Sequence, residues 1–296
     1  MGAIPKLQRG KSPGVYIVRL DFRKNWQANF MLLSDIHYDS LGCNRAKFKS
    51  DLEKAKAESM GVLILGDLMT LAEGKKDPRH SRDELRPEYL REDYLGVIVE
   101  DTAKFLAPYI DNIMMISRGN HEISFTAHNG VDPLSMLSQH LKILTGKQPT
   151  IAPYSGYVLF KLSKLHASGS RGSRQSIVLK YHHGSGGNSP VTKGAIQTAR
   201  SIARWPTSDI IALGHIHQRF SMMMPRQLVT TQGRIITDRD LLHLQLGCYV
   251  QTDEQPDSWA QQKGFGTAAL GGWILKLYCN VSTSPHRVKY MAIPTD

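Results

Sequence analysis

Residues that can bind a metal ion follow five separate apolar runs in this sequence. The runs at 30–33, 62–65, 113–116, 177–179 and 210–213 are typical of buried strands. Ligands of open α/β sheets bind beyond the carboxyl ends of such strands. Carboxylate and imidazole groups gathered there need a compensating charge, and a divalent cation supplies one. The sequence therefore predicts a metal site built from Asp35-Ile36-His37, Gly66-Asp67, Gly119-Asn120-His121-Glu122, His182-His183-Gly184 and Gly214-His215-Ile216-His217.

Each of these clusters, taken alone, has a simpler structural explanation. A single histidine on an apolar face is usually a core residue with a satisfied hydrogen bond, and a single buried aspartate often caps a helix. Five clusters at five strand ends favour the metal site. Carboxylate, imidazole and amide oxygen together suit manganese, iron or zinc better than calcium or magnesium alone. Two such ions, about 3.5–4 Å apart, can clamp the attacking and leaving oxygens of a phosphoester.

The bulk composition limits the class of protein. The chain of 296 residues is 41% hydrophobic, enough for a sizeable core, and its formal net charge is +11. That charge favours anionic partners such as phosphoesters or nucleic acid, although a basic protein without a specific partner would carry it equally well. Three scattered cysteines, Cys43, Cys248 and Cys279, predict no disulfide framework and a reducing compartment. Without a long apolar run or a signal-like start, we expect a cytoplasmic protein with no membrane contact.

Helical periodicity appears between the predicted strands. Charged and apolar residues at 46–60 predict a helix between the first two apolar runs. This strand–helix–strand order predicts a right-handed crossover and parallel pairing. A further helix is predicted at 133–144, started by Asp132 and stopped by Gly146.

The rest of the chain reads as additional strands of the same domain. A strand at 15–20 is followed by a predicted turn at 25–29. No linker rich in Pro, Gly or Ser divides the chain, so we predict one domain over residues 1–296 with its motif-bearing core at about 28–220. Antiparallel strands are predicted at 217–224, 241–250, 271–277 and 286–293.

Two charged segments each allow two interpretations. Segment 73–93 mixes Arg, Lys, Asp and Glu directly after Asp67. Its mixed charges favour a solvated loop leading into a helix at about 88–106, and the alternative is a lid or nucleic-acid contact over the site. Segment 163–174, with Arg171, is either a mobile hairpin tip, which we favour, or a basic finger that touches a phosphate backbone.

The five clusters, in this order, resemble the motif set of the calcineurin-like metallophosphoesterases. The resemblance spans residues 35–217 and is highly specific, whereas the stretches before Met31 and after Phe220 match nothing beyond extra strands. It implies an α/β fold, a four-layer α/β/β/α sandwich with two central sheets and helices outside. It also implies a phosphoester hydrolase with a dinuclear centre of divalent metal ions, with Mn favoured and Fe or Zn as alternatives.

The resemblance further implies a role for each matching residue. His121 resembles the proton donor that protonates the leaving oxygen. Of the paired histidines, the resemblance favours His182 as a ligand over His183. Arg118 either faces the substrate phosphate or forms a salt bridge with a carboxylate such as Glu122, and we weight these alternatives equally. The implied ligands are Asp35, His37 and His217 for one ion, Asn120, His215 and one of His182 and His183 for the other, and Asp67 between the two.

Three functions compete on the sequence alone. The net charge, the segment around Arg171 and the insertion after Asp67 favour a phosphodiesterase of nuclease type acting on nucleotides or nucleic acid. The alternative is a phosphomonoesterase acting on phosphoprotein or a small metabolite, although protein phosphatases usually carry an Arg close behind Gly-Asp and the segment 68–70 has none. A non-catalytic scaffold ranks last because every expected ligand position is filled.

Overall fold

A computed structural model describes residues 4–71, 85–187, 192, 194–229, 232–237, 240–251, 269–280 and 287–295. Residues 73–84 of the charged insertion at 73–93 lie outside the described residues, and so does that part of the predicted lid or nucleic-acid contact.

The described part of the chain contains fifteen strands and five α-helices, besides short 3-10 helices. The strands are β1 Leu7–Arg9, β2 Val15–Phe22, β3 Trp26–Leu33, β4 Gly61–Leu65, β5 Ile113–Ser117, β6 Thr150–Ala152, β7 Ser155–Leu165, β8 Arg171–His182, β9 Ile210–Leu213, β10 Phe220–Met224, β11 Leu228–Val229, β12 Ile235–Ile236, β13 Leu241–Gln245, β14 Trp273–Cys279 and β15 Lys289–Pro294. The α-helices are α1 Arg45–Ala57, α2 Tyr94–Leu106, α3 Asn120–Asn129, α4 Pro133–Thr145 and α5 Ala195–Arg204.

Two large sheets organise the strands. One has seven strands in the order β1-β2-β7-β8-β9-β13-β10, and the other has six in the order β15-β14-β3-β4-β5-β6. Strands β3 to β6 run parallel, as do β8, β9 and β13. The parallel pairing of β3 and β4 around α1 confirms the predicted strand–helix–strand unit.

Three buried cores separate four layers. On β3, Phe30 and Leu32 face the other sheet, whereas Met31 and Leu33 face the helices, because successive side chains alternate across a strand. The core between the sheets includes the ring contact of Phe30 with Phe160 on β7, at 4.9 Å between centroids. Helices α1, α2 and α4 cover the six-stranded sheet and α5 covers part of the seven-stranded sheet. The predicted α/β/β/α sandwich is therefore confirmed.

Several predicted boundaries are confirmed and others are corrected. Helix α4 begins after Asp132, whose carboxylate accepts from the backbone N–H of Leu134, and it ends at Gly146, which has a left-handed φ of 73°. The predicted turn at 25–29 is wrong, because β3 already begins at Trp26.

The structure corrects three further predictions, which concern the start of a helix, the length of a hairpin tip and the pairing of a strand. Helix α2 begins at Tyr94 and not near residue 88, where a short 3-10 helix, Pro87–Tyr89, precedes it. The hairpin tip expected at 163–174 shrinks to residues 166–170, because both strands extend into it. Strand β13 pairs antiparallel with β10, as predicted, but parallel with β9.

The described helices include none with the length and apolar character that crossing a bilayer would require.

Candidate metal centre

The carboxyl ends of five strands from the two sheets bring the predicted polar clusters together. Strands β3, β4 and β5 deliver them from the six-stranded sheet, and β8 and β9 deliver them from the seven-stranded sheet. Three groups of side chains could each hold a metal ion. Within each group, the possible ligand atoms all lie within 4.8 Å of one another. The groups are Asp35, His37 and His217; His37, Asp67 and His121; and Asp67, His183 and His215.

Asp67 lies between these groups. Its Oδ2 atom is 3.0 Å from His183 Nε2 on one side and 4.0 Å from His37 Nε2 on the other. Its Oδ1 atom accepts a hydrogen bond of 3.0 Å from the backbone N–H of His121. Asp67 thus belongs to two neighbouring groups of possible metal ligands.

The side-chain oxygen of Asn120 lies beside the third group, that of Asp67, His183 and His215. Asn120 Oδ1 lies 3.0 Å from His183 Nε2 and 2.8 Å from His215 Nδ1. At the first group, Asp35 Oδ1 lies 3.4 Å from His217 Nε2. The other oxygen of Asp35 accepts from the backbone N–H of His215 at 2.9 Å, which ties the two strand ends together.

Two buried polar atoms that lack hydrogen-bond partners among the described residues indicate whether these residues suit a cation. Asp35 Oδ1 and His37 Nε2 are buried and have no hydrogen-bond partner in the part of the chain that the structure describes. Such atoms cost free energy unless something compensates them. Both belong to the group that also contains His217, so a divalent cation there would satisfy them. The donor set fits the metal that the sequence predicts.

The backbone at this site adopts conformations that L-residues seldom take. Five of the clustered residues have φ in the left-handed region: Asp35 at 54°, His37 at 49°, Asp67 at 49°, His215 at 77° and His217 at 54°. Each such residue costs on the order of 1 kcal/mol and persists only where surrounding contacts enforce it. Strain of this kind clusters at functional sites.

Electrostatic interactions among these groups shift their pKa values in opposite directions. Burial would raise the pKa of Asp35, but His183 and His217 outweigh it and hold that pKa at about 2. Burial would lower the pKa of His183, but Asp67 and Asp35 raise it to about 9. Burial, followed by the neighbouring His121, lowers the pKa of His37 to about 3. Metal-free, the site therefore combines carboxylates with a protonated His183 at neutral pH.

The structure places His183 in the cluster and His182 outside it, against the preference for His182 as the metal ligand. Ile177, Leu179 and Tyr181 of β8 face the core between the sheets, so His182 points to the opposite face. There His182 packs against Trp205, with ring centroids 5.4 Å apart, and its Nδ1 accepts from the backbone N–H of Gly184. The same alternation, read in the sequence, would have identified His183.

Arg118 forms a salt bridge, but its partner is Asp132 and not Glu122. Asp132 also caps α4 and accepts from the hydroxyl of Ser135 at 2.6 Å. Of the two alternatives for Arg118, the structure therefore supports an ion pair that fixes the start of α4.

His121 is held by a backbone carbonyl. Its Nδ1 lies 2.7 Å from the carbonyl oxygen of Thr70, and this acceptor fixes the proton on Nδ1. Its Nε2 is 3.9 Å from Asp67 Oδ2 and is left to face the cluster. His121 is only half-buried, so a ligand can reach it.

Two buried carboxylates that sequence reasoning missed hold the strained loops. Glu122 accepts from the backbone N–H groups of Gly119, Asp67 and Met69, at 2.8 to 3.2 Å. Asp39 accepts from the backbone N–H groups of Thr70 and Leu71 and from the hydroxyl of Tyr94. An acid at the third position of a helix commonly accepts from the N-cap backbone N–H, as Glu122 does from Gly119, whereas nothing local distinguishes Asp39.

Comparison with known proteins finds similarity in structure only. No model of a known protein family matches the chain, and no curated protein matches it. Among solved structures, the chain is similar to the phosphoesterase Yfce from E. coli, with 15% identity, a TM-score of 0.36, and 90% of this chain and 99% of that chain covered. A predicted phosphoesterase from Streptococcus pneumoniae TIGR4 matches with 13% identity and a TM-score of 0.31, covering 90% and 99%. Vps29 from Entamoeba histolytica, complexed with Zn²⁺, matches with 10% identity and a TM-score of 0.32, covering 90% and 98%.

The two adjacent histidines give a matched test of the metal centre. We expect His183→Gln to lose at least one bound Mn²⁺ per chain, because it removes a nitrogen that faces both Asp67 and Asn120. His182→Gln should keep the wild-type metal content, since this ring lies on the other face of β8. Elemental analysis after dialysis against Mn²⁺, with circular dichroism to check folding, measures the difference. Equal metal loss in both variants would contradict the assignment.

Metal affinity should depend steeply on pH. In the metal-free protein the pKa of His183 is raised to about 9, so this imidazole is protonated at neutral pH and a cation must displace that proton. We therefore expect Mn²⁺ affinity to rise roughly tenfold between about pH 7 and about pH 8 from this group alone. Calorimetric titration in buffers of different ionisation enthalpy should show proton release on binding. A pH-independent affinity over that range would argue against His183 as a ligand.

Proposed function

We propose that this protein is a metal-dependent phosphoester hydrolase with a dinuclear centre. The observation that carries the proposal is the clustering of three His/Asp groups at the ends of strands from both sheets: two of the groups share His37 and two share Asp67. Asp35, His37 and His217 would hold one ion, and Asn120, His183 and His215 the other, with Asp67 shared. When bound, such ions lower the pKa of water and stabilise charge on phosphoester oxygens.

His121 is the proposed general acid. The carbonyl of Thr70 keeps the proton on Nδ1, so Nε2 is the nitrogen that exchanges a proton with a ligand in the cleft. Protonated there, His121 would donate to the departing oxygen of the ester. Its ring stands nearly perpendicular to that of His37, at 4.9 Å between centroids, which restricts the direction in which Nε2 points.

The substrate class that we propose is a phosphodiester, in nucleotides or nucleic acid. The net charge of +11 supports it, because polyanions are drawn to a basic protein. The segment around Arg171 does not support contact with the site. Arg171 and His182 are the two ends of the 12-residue strand β8, which places them roughly 36 Å apart at about 3.3 Å per residue. Phosphomonoester hydrolysis is the alternative.

All three cysteines are free and buried, which supports the proposed cytoplasmic location.

Two chromogenic esters test the function. With Mn²⁺ supplied, we expect hydrolysis of bis(p-nitrophenyl) phosphate to exceed that of p-nitrophenyl phosphate, and chelation to abolish both. The reverse preference would favour the monoesterase. If Mn²⁺, Zn²⁺ and Fe²⁺ all fail to support hydrolysis of either ester in a protein shown to bind them, the hydrolase proposal is wrong.

His121→Ala tests the general acid, with His128→Ala on the same helix as its control. His128 is exposed and hydrogen-bonds only within α3, through Ser124, among the contacts that the structure describes. We expect His121→Ala to keep its Mn²⁺ and to lose roughly 10²- to 10⁴-fold in turnover on alkyl esters, whose leaving group needs a proton. The loss on nitrophenyl esters should be smaller. An equal loss on both kinds of ester would remove His121 from this role.

A further inference from the structure

The hairpin of β7 and β8 carries basic residues without acidic ones. Between residues 155 and 182 the sequence has five Lys or Arg and no Asp or Glu. Strand β2, which pairs with β7, adds Arg19 and a single acid, Asp21. These three strands therefore form a strongly positive part of the seven-stranded sheet.

Side-chain alternation divides the residues of these strands between two faces. Val18, Phe160 and Leu179 point into the core between the sheets. Ile17, Leu159 and Val178 point the other way; they are paired across the three strands, half-buried, and members of none of the three buried cores. We call this side, opposite to the inter-sheet core, the outer face of β2, β7 and β8.

Cations flank this apolar row at the end far from the metal centre. Arg19 of β2 pairs in register with Lys161 of β7. Two residues farther along both strands, Asp21 pairs with Ser163, and Ser163 also pairs with Arg174 of β8. Asp21 is already engaged by Arg171 through two hydrogen bonds of 2.9 and 3.0 Å. Within these three strands the basic residues thus outnumber the one acidic residue.

Aromatic and basic side chains flank the row at its other end. The Lys180 Nζ atom lies 4.2 Å from the ring centroid of Tyr157 and 4.8 Å from that of Trp205. Arg204 packs over the same Trp205 ring at 5.4 Å. Tyr157 pairs in register with Val15 and is half-buried, so part of its ring remains accessible.

We propose that the outer face of β2, β7 and β8 binds single-stranded nucleic acid. Arg19, Lys161 and Arg174 would contact phosphates, and the apolar row with Tyr157 would contact bases. Charge complementarity favours a polyanion, and the apolar row favours one whose bases are uncovered, which a duplex does not offer. The inference goes beyond the proposed hydrolase, because binding at this face requires no metal ion and none of the residues of the metal centre.

The test compares two triple variants of the full-length chain. Arg19→Gln/Lys161→Gln/Arg174→Gln removes three charges from the outer face. Lys49→Gln/Lys56→Gln/Lys142→Gln removes three from exposed positions on α1 and α4, which cover the other sheet. Binding of a fluorescein-labelled oligothymidylate of about 20 nucleotides is measured by anisotropy in EDTA, over about 0.05 to 0.3 M salt.

We expect the outer-face variant to bind the oligonucleotide roughly 50-fold more weakly at about 0.15 M salt. The slope of log K against log salt concentration should become shallower by about 2, because each of the three removed phosphate contacts contributes about 0.7. The control variant should bind like the wild type. Equal losses in both variants, equal binding of duplex, or a preference for phosphatidylserine vesicles would overturn the proposal. Hydrolysis of bis(p-nitrophenyl) phosphate by the outer-face variant should stay at the wild-type level, which separates failure of this inference from failure of the hydrolase.

Discussion

The burial of two carboxylates, Asp35 and Asp67, is the constraint on which this site depends. Both lie at the ends of neighbouring parallel strands and are at most 1% exposed. Burying a charge is costly unless groups of opposite charge or hydrogen-bond donors surround it. The fold meets that cost by bringing His183 and His217 across from the other sheet. Those histidines come from elements more than 100 residues farther along the chain, so the site forms only when the two sheets pack together.

The strained backbone follows from the same constraint. To point a carboxylate and an imidazole from one strand end into one cluster, residues such as Asp35 and His37 adopt left-handed φ values. Nearby contacts stabilise this geometry: Glu122 binds the backbone on both sides of Leu68, and Asp39 binds the backbone of Thr70 and Leu71. Glycines matter here for lack of space, because a Cβ atom at Gly119 would collide with the side chain of Asp67.

Strand alternation connects the metal centre with the outer face of β2, β7 and β8. Adjacent residues of β8 point to opposite sides, and His183 directly after the strand continues this alternation: it faces the space between the sheets, whereas Lys180 and His182 face Trp205. A single strand thus supplies a metal ligand to one face and basic groups to the other. The two functions that we propose are therefore adjacent along the chain but separated by the thickness of a sheet.

The sequence by itself determined nearly all the clustered residues, since apolar runs ending in Asp, Asn or His are local patterns, and the resemblance that these patterns carry implied the fold class. It also determined helix α4, because Asp132 and Gly146 are end signals within that segment. It did not reveal how far β7 and β8 extend, that Arg171 lies far from the metal centre, or that Arg118 pairs with Asp132. These depend on which strands become neighbours and on the register between them. Only the tertiary structure fixes that, because the contacts that decide it join residues distant in the chain.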